Sequence, residues 1–286
     1  MKKILVVTLL YCSIATLSFG QEKAHQIYNK DGNKISYKTM LFKIKNADVV
    51  LFGENHNDPI SHWLQLELTK SLHEKHGENL MLGAEMLEAD NQVVLDEYLL
   101  GFSREKDFEK EAKIWPNHKT DYRPLLRFAK DNDLHFVATN IPRRFANMVY
   151  RFGVDTLAYL PEASKQFIAP LPMAYDTSLH CYKEISIMAG GHGGENLPKS
   201  QAIKDATMAH FIHANMKEDT KFIHYHGSYH SKYYESIMWY LLQLNADLNI
   251  KTIEVVEQED VSRFDDKLLG NADFFIVVDE DMCKTH

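Results

Sequence analysis

Short apolar runs rich in β-branched residues alternate along this chain with longer stretches of helical periodicity. "DVVLFG" at 48–53 reads as a buried strand, and "ISHWLQLELTKSLHEKH" at 60–76 as a helix with Ile60, Trp63 or Leu64, and Leu68 near one face. A second strand is expected at 80–85 ("LMLGAE") and a third at 134–140 ("LHFVATN"), with helical segments around 88–100, 105–113 and 121–132 between them. Pro142 suits the first turn of a helix running to about residue 152. Pro161, Pro170, Pro172 and Pro198 break the middle of the chain, and "AGGHGGEN" (189–196) reads as a flexible glycine-rich loop. Beyond it come a helix at 199–217, a strand at 221–227 ("KFIHYHG"), a helix at 229–243, and late strands at 250–256 and 273–279. This alternation predicts an α/β fold: a mostly parallel sheet with helices on both faces, and a site at the carboxyl ends of its strands.

Length and composition leave room for one full-sized core. The chain has 286 residues, 45% of them hydrophobic, and no linker-like stretch divides it. Residues 1–20 carry two lysines, an apolar run and Ser18-Phe19-Gly20, the pattern of a secretory signal peptide cleaved after Gly20. The run of about 15 apolar residues is short for a membrane span, so no transmembrane segment is expected in the mature chain. Position 21 is glutamine, so the lipobox cysteine of a lipoprotein is absent, and a single soluble periplasmic or secreted domain is expected over 21–286. The net charge of −8 argues against general nucleic-acid binding. Cys181 and Cys283 are left after cleavage and imply no disulfide framework.

The candidate chemistry collects where the predicted strands end. The first strand delivers Glu54, Asn55 and His56, the second Glu85, and the third Asn140 with Arg143 and Arg144 just beyond; the fourth delivers His226 and, on the first turn of the next helix, His230. Gly53–His56 and Gly227–His230 repeat one form, Gly-x-x-His. His56, Glu85 and His230 offer the nitrogen and oxygen donors that Zn, Mn or Fe takes. With such a divalent metal, Glu54 would be a general base, Arg143 an oxyanion donor and Asn140 a substrate-orienting group, the parts of a metal-dependent hydrolase. No HExxH element supports that metal, and an Arg143–Glu85 ion pair would be a purely structural alternative. His224 reads as a packed strand histidine. His62, His73 and His76 read as residues of a solvated helix.

"VVLFGENHNDPISHWLQLEL", "GAEMLEADNQVVLDEYL", "WPNHKTDYRPLLRFAKDNDLHFVATNIPRR" and "QAIKDATMAHFI" together resemble the ChaN family of iron-regulated, haem-binding bacterial proteins, over about 43–243. The wider superfamily, with Tiki and TraB proteins, is marked by paired Gly-x-x-His elements and acidic residues, matched here by Gly53–His56, Gly227–His230, Glu54 and Glu85. The resemblance implies a ChaN-like α/β domain, haem as ligand, and a role in iron or haem acquisition. It also implies a tyrosine ligand and a haem shared across a homodimer. The proline-rich segment 169–185 offers Tyr182 and then Tyr175 for that ligand. Some Tiki-type members are similar to metal-dependent proteases, which keeps the hydrolase alternative open.

Overall fold

Every residue of "VVLFGE" is buried, as required of a strand covered on both faces. In the computed structural model, which describes residues 23–188, 190 and 194–286, this segment is the central strand β3. The expected leader at 1–20 lies outside the described residues, as do Ala189 and residues 191–193 of the glycine-rich loop. The strands are β1 (His25–Asn29), β2 (Lys34–Ile35), β3 (Val49–Glu54), β4 (Leu80–Glu88), β5 (Phe136–Asn140), β6 (Lys221–Gly227), β7 (Ile250–Gln258) and β8 (Phe274–Asp279). They form one sheet in the order β2-β1-β8-β7-β3-β6-β4-β5. From β8 to β5 every pairing is parallel, while β1 runs antiparallel to both β8 and β2.

The helices are α1 (Tyr37–Ile44), α2 (Pro59–His76), α3 (Gln92–Leu99), α4 (Glu105–Glu111), α5 (Arg123–Asp131), α6 (Arg143–Phe152), α7 (Glu162–Lys165), α8 (His180–Met188), α9 (Asn196–Asn215) and α10 (Ile237–Leu244). The two-residue alternation of β3 divides them. Val50 and Phe52 face Met40, Leu68, Leu95, Phe108 and Leu125, so α1 to α5 cover one side. Val49 and Leu51 face Val149, Ile203, Met208 and Leu241, so α6, α9 and α10 cover the other. The expected α/β architecture with helices on both faces is the one observed. Among the described residues no helix is long and apolar enough to cross a membrane. Cys181 is buried, Cys283 is exposed, and both are free thiols.

The departures from expectation have local causes. The helix expected from 229 starts only at Ile237, because Tyr233, Tyr234 and Ser236 take φ of 64°, 59° and 55°. Those left-handed residues cannot belong to an α-helix, and two 3-10 turns, Ser228–His230 and Lys232–Tyr234, take its place. His62 is not solvated: it is 6% exposed and lies 3.2 Å from the Gln65 side chain.

Candidate functional site

β3 and β6 pair in parallel with Gly53 opposite His226 and Glu54 opposite Gly227. The two Gly-x-x-His turns therefore leave the sheet side by side, and each glycine makes room for the other turn. A Cβ on Gly53 would lie 2.9 Å from the Ser228 Cα, and one on Gly227 would lie 2.7 Å from His56 Nε2. Only hydrogen at those positions allows the approach.

Each histidine is held by carboxylates. Glu54, 2% exposed, accepts from the Tyr122 hydroxyl at 2.6 Å and from Gln65 Nε2, and its Oε1 lies 2.9 Å from His56 Nδ1. Burial opposes the charge on Glu54, but the His56 hydrogen bond, the nearby His62 and the Tyr122 bond outweigh it and hold the carboxyl below the usual range. Burial likewise opposes protonation of His56, yet the bond to Glu54 and the charge of Glu85 raise it. The ring rests edge-on against Trp115, with centroids 4.9 Å apart.

The second histidine sits between two acids. Glu85 Oε2 accepts from the Gly227 amide at 2.9 Å, and Glu85 Oε1 lies 3.2 Å from His230 Nε2. On the other side of the ring, Nδ1 lies 2.5 Å from Asp205 Oδ1, and Tyr182 donates to Asp205 Oδ2 at 2.9 Å. Burial disfavours the imidazolium, but Glu85 and Asp205 overcome it and push His230 up to about 10. Glu85 is held well below the carboxylate range against its burial, chiefly by His230. The result is a continuous buried chain, Tyr182–Asp205–His230–Glu85–Gly227. His56 is its partly exposed neighbour, with 39% of the side-chain surface open.

Glu54, His56, Glu85, Asn140 and His230 meet at one edge, as expected from the strand ends. Asn140 donates to the Glu85 carbonyl at 2.9 Å, while its Oδ1 is buried without a partner. Arg143 is exposed on the first turn of α6; the structural Arg143–Glu85 pair does not form, because His230 occupies that carboxylate. Two cavities flank the edge. One of about 590 Å³ is lined by Glu54, His56, Lys232 and Glu254 among others. The other, about 360 Å³, is lined by Glu85, Trp115, Asn140, Arg143, Tyr150 and Lys204 among others.

Three expectations are corrected. His56, Glu85 and His230 do not make a metal-ligand set, since both nitrogens of the His230 ring and both oxygens of Glu85 are spent on internal partners. Among the described residues no group of three or more His, Cys, Asp or Glu side chains is placed to hold a metal ion. Tyr182 does not lie on an exposed face: it is 2% exposed, and burial followed by the charge of Asp205 raises its phenol well above the ordinary value. Tyr175 is half-buried, with its ring 5.5 Å from that of Tyr182. His226 does not reach the edge either. It is fully buried beside His224, Nδ1 to Nδ1 3.0 Å apart, and burial lowers both, His224 to about 3. These two are packing histidines, as expected for His224.

Sequence reasoning missed Asp205, Gln65 and Tyr122. Asp205 had a legible signal: it is an acid on the helix face shared by the buried Ala202, Ala206 and Ala209. A carboxylate in such a stripe needs a partner. Gln65 and Tyr122 carry no comparable mark, since their role depends on α2 and the turn before α5 meeting over the end of β3.

One solved structure shares this fold. ChaN of Campylobacter jejuni, whose structure describes cofacial haem binding, superposes with a TM-score of 0.66 at 17% identity, covering 89% of this chain and 96% of that one. The erythromycin esterase EreC in its open conformation gives a TM-score of 0.47 at 12% identity over 82% of this chain and 77% of its own. In sequence, the chloroplastic protein RETICULATA-RELATED 5 of Arabidopsis thaliana is 25% identical over 188 residues, which is 61% of this chain but only 26% of that protein's length. The model of the family described as haem-binding uptake, Tiki superfamily, ChaN matches residues 40–241. With most of its length matched, the chain belongs to the ChaN family of haem-binding uptake proteins.

Proposed function

We propose that this protein is exported and binds haem in the service of iron acquisition, holding it on the face formed by α6 and α9. Membership of a haem-binding family carries the reading. The surface suits it. Tyr150 is 42% exposed on the α6 face that also carries Arg143 and Asn147, and a flat ring can lie against its phenol. Tyr150 also lines the cavity beside Arg143 and Lys204. A tyrosinate is an anionic, hard ligand suited to ferric iron. Tyr150 can present its oxygen to solvent, Tyr175 only in part, and Tyr182 only by breaking its bond to Asp205. Tyr150 therefore takes the ligand role, and a homodimer sharing haem would bring two such faces together. Titration of the purified protein with ferric haem tests this. Saturable binding with a Soret shift is expected; Tyr150→Phe should lose the tyrosinate spectrum, and Tyr175→Phe and Tyr182→Phe should keep it. An unchanged Tyr150→Phe spectrum would remove Tyr150 from the iron, and no saturable binding by the parent would end the haem reading.

A hydrolase reading is favoured by one observation, the Glu54–His56 pair facing the cavity of about 590 Å³. It would be acid–base chemistry without a metal ligand set. Ester or peptide turnover that survives a chelator and is lost in His56→Ala would support it.

A further inference from the structure

The charged groups lining the cavity of about 360 Å³ do not balance. Its carboxylates are Glu85 and Glu88, and its cations are Arg143 and Lys204. Glu85 is answered by His230 at 3.2 Å and by the Gly227 amide at 2.9 Å. Glu88 is answered by Lys113 at 3.1 Å. Arg144, the neighbour of Arg143, is taken by Asp90. Among the described residues, neither Arg143 nor Lys204 has a carboxylate within ion-pair distance, although the Lys204 charge is felt by Glu85. Two positive charges on adjacent helices, α6 and α9, thus face one concavity with no carboxylate paired to either. At its floor Asn140, 9% exposed, keeps an oxygen with no donor. Two unpaired cations from different helices converging on one concavity mark a site for an anion.

We propose that Arg143 and Lys204 receive the two propionate carboxylates of the haem, so that this cavity is the polar end of the haem site and selects porphyrins by their acidic edge. The inference rests on the haem reading and goes beyond it, because it names what the ligand must carry besides iron. The guanidinium can take one carboxylate with two parallel hydrogen bonds, and the ammonium takes the other as a point charge. A carboxylate has no hydrogen to give to Asn140 Oδ1. That oxygen is buried and does not meet the propionate, so the two cations carry the recognition. Trp115 and Tyr150 wall the same cavity and set aromatic surface beside the two cations.

Ferric haem and its dimethyl ester share iron, ring and apolar surface and differ in the two charges. Soret titrations of the full-length mature protein with each should show haem bound more tightly by at least about tenfold, the ratio that 1.4 kcal/mol produces. Arg143→Gln and Lys204→Gln should weaken haem, leave the ester as in the parent, and together bring the ratio close to one. Both side chains reach solvent, so the fold is not at stake. Equal parental affinity for the two porphyrins, or variants that weaken both alike, would overturn the inference and leave haem binding standing. Binding of neither porphyrin by the parent would overturn the haem reading and this inference with it.

Discussion

Replacing Glu85 by glutamine should change how stability depends on pH. In the folded protein His230 sits near 10, above its ordinary 6.5, because Glu85 and Asp205 outweigh the cost of burial. The folded state thus keeps a proton that the unfolded chain releases above pH 6.5. The contribution is complete below pH 6.5 and drains as pH rises towards 10, at about 1.4 kcal/mol per unit, or about 3 kcal/mol between pH 6.5 and 9. Glu85 has the opposite sign. Held well below 4.5, its contribution is present above that value and lost as pH falls through its folded one. Glutamine keeps the shape and removes the charge, so His230 retains only Asp205 and its raised value falls. Stability at pH 6 should drop by about 3 kcal/mol, the scale for removing one partner of a buried pair. The decline from pH 6.5 to 9 should be visibly shallower than in the parent. Urea unfolding followed by tryptophan fluorescence at several pH values, parent beside variant, measures both, and NMR of the His230 ring reports its titration directly. Parallel pH profiles in the two proteins, or a parental His230 that titrates near 6.5, would refute the reasoning.

Other outcomes follow from single contacts. Gly227→Ala would bring a methyl group to 2.7 Å from His56 Nε2, so the imidazole must move, and a loss of about 1–3 kcal/mol is expected from thermal unfolding. Tyr182→Phe leaves Asp205 with one donor fewer and should cost about 1–2 kcal/mol in urea unfolding while the Soret titration stays that of the parent. Glu254 is raised to about 7 by burial, so its buried charge costs stability as pH rises from 4.5 to 7; Glu254→Gln should be less pH-sensitive across that window. Mature protein recovered from outside the cytoplasm should begin at Gln21, which N-terminal sequencing checks.

Much of the architecture was legible because the parallel strands are short, fully buried and bounded by polar turns. The expected runs at 48–53, 80–85 and 221–227 became Val49–Glu54, Leu80–Glu88 and Lys221–Gly227. That register also put Glu54, His56, Glu85, Asn140 and His230 at one edge. What stayed hidden depends on neighbours far away in sequence. β1 is a short strand between β2 and β8, and β8 lies at the opposite end of the chain. Tyr182 could be named as a tyrosine but not as a buried one, since only the packing of α8 on α9 decides that Asp205 takes its hydroxyl. His62 looked solvated because helical periodicity places Leu64 and Leu68 inwards, and nothing local tells that Tyr122 closes over the other side, its ring 5.1 Å away. The left-handed turn at 233–236 breaks a helix that apolar periodicity alone would extend.

The mutual fit of the Gly53 and Gly227 turns has a genetic consequence. Because a methyl group on Gly227 collides with the His56 ring rather than with backbone, the two positions form one epistatic unit. A Gly227→Ala lesion should be suppressed by His56→Ala, which vacates the same space, so the double substitution would be more stable than the sum of the two alone. Gly53 offers no such rescue. Its obstruction is the Ser228 Cα at 2.9 Å, and no side-chain change at 228 removes a main-chain atom. In a random library, alanine at 227 should therefore be recoverable in company, and alanine at 53 should be recovered only where the main chain itself has shifted.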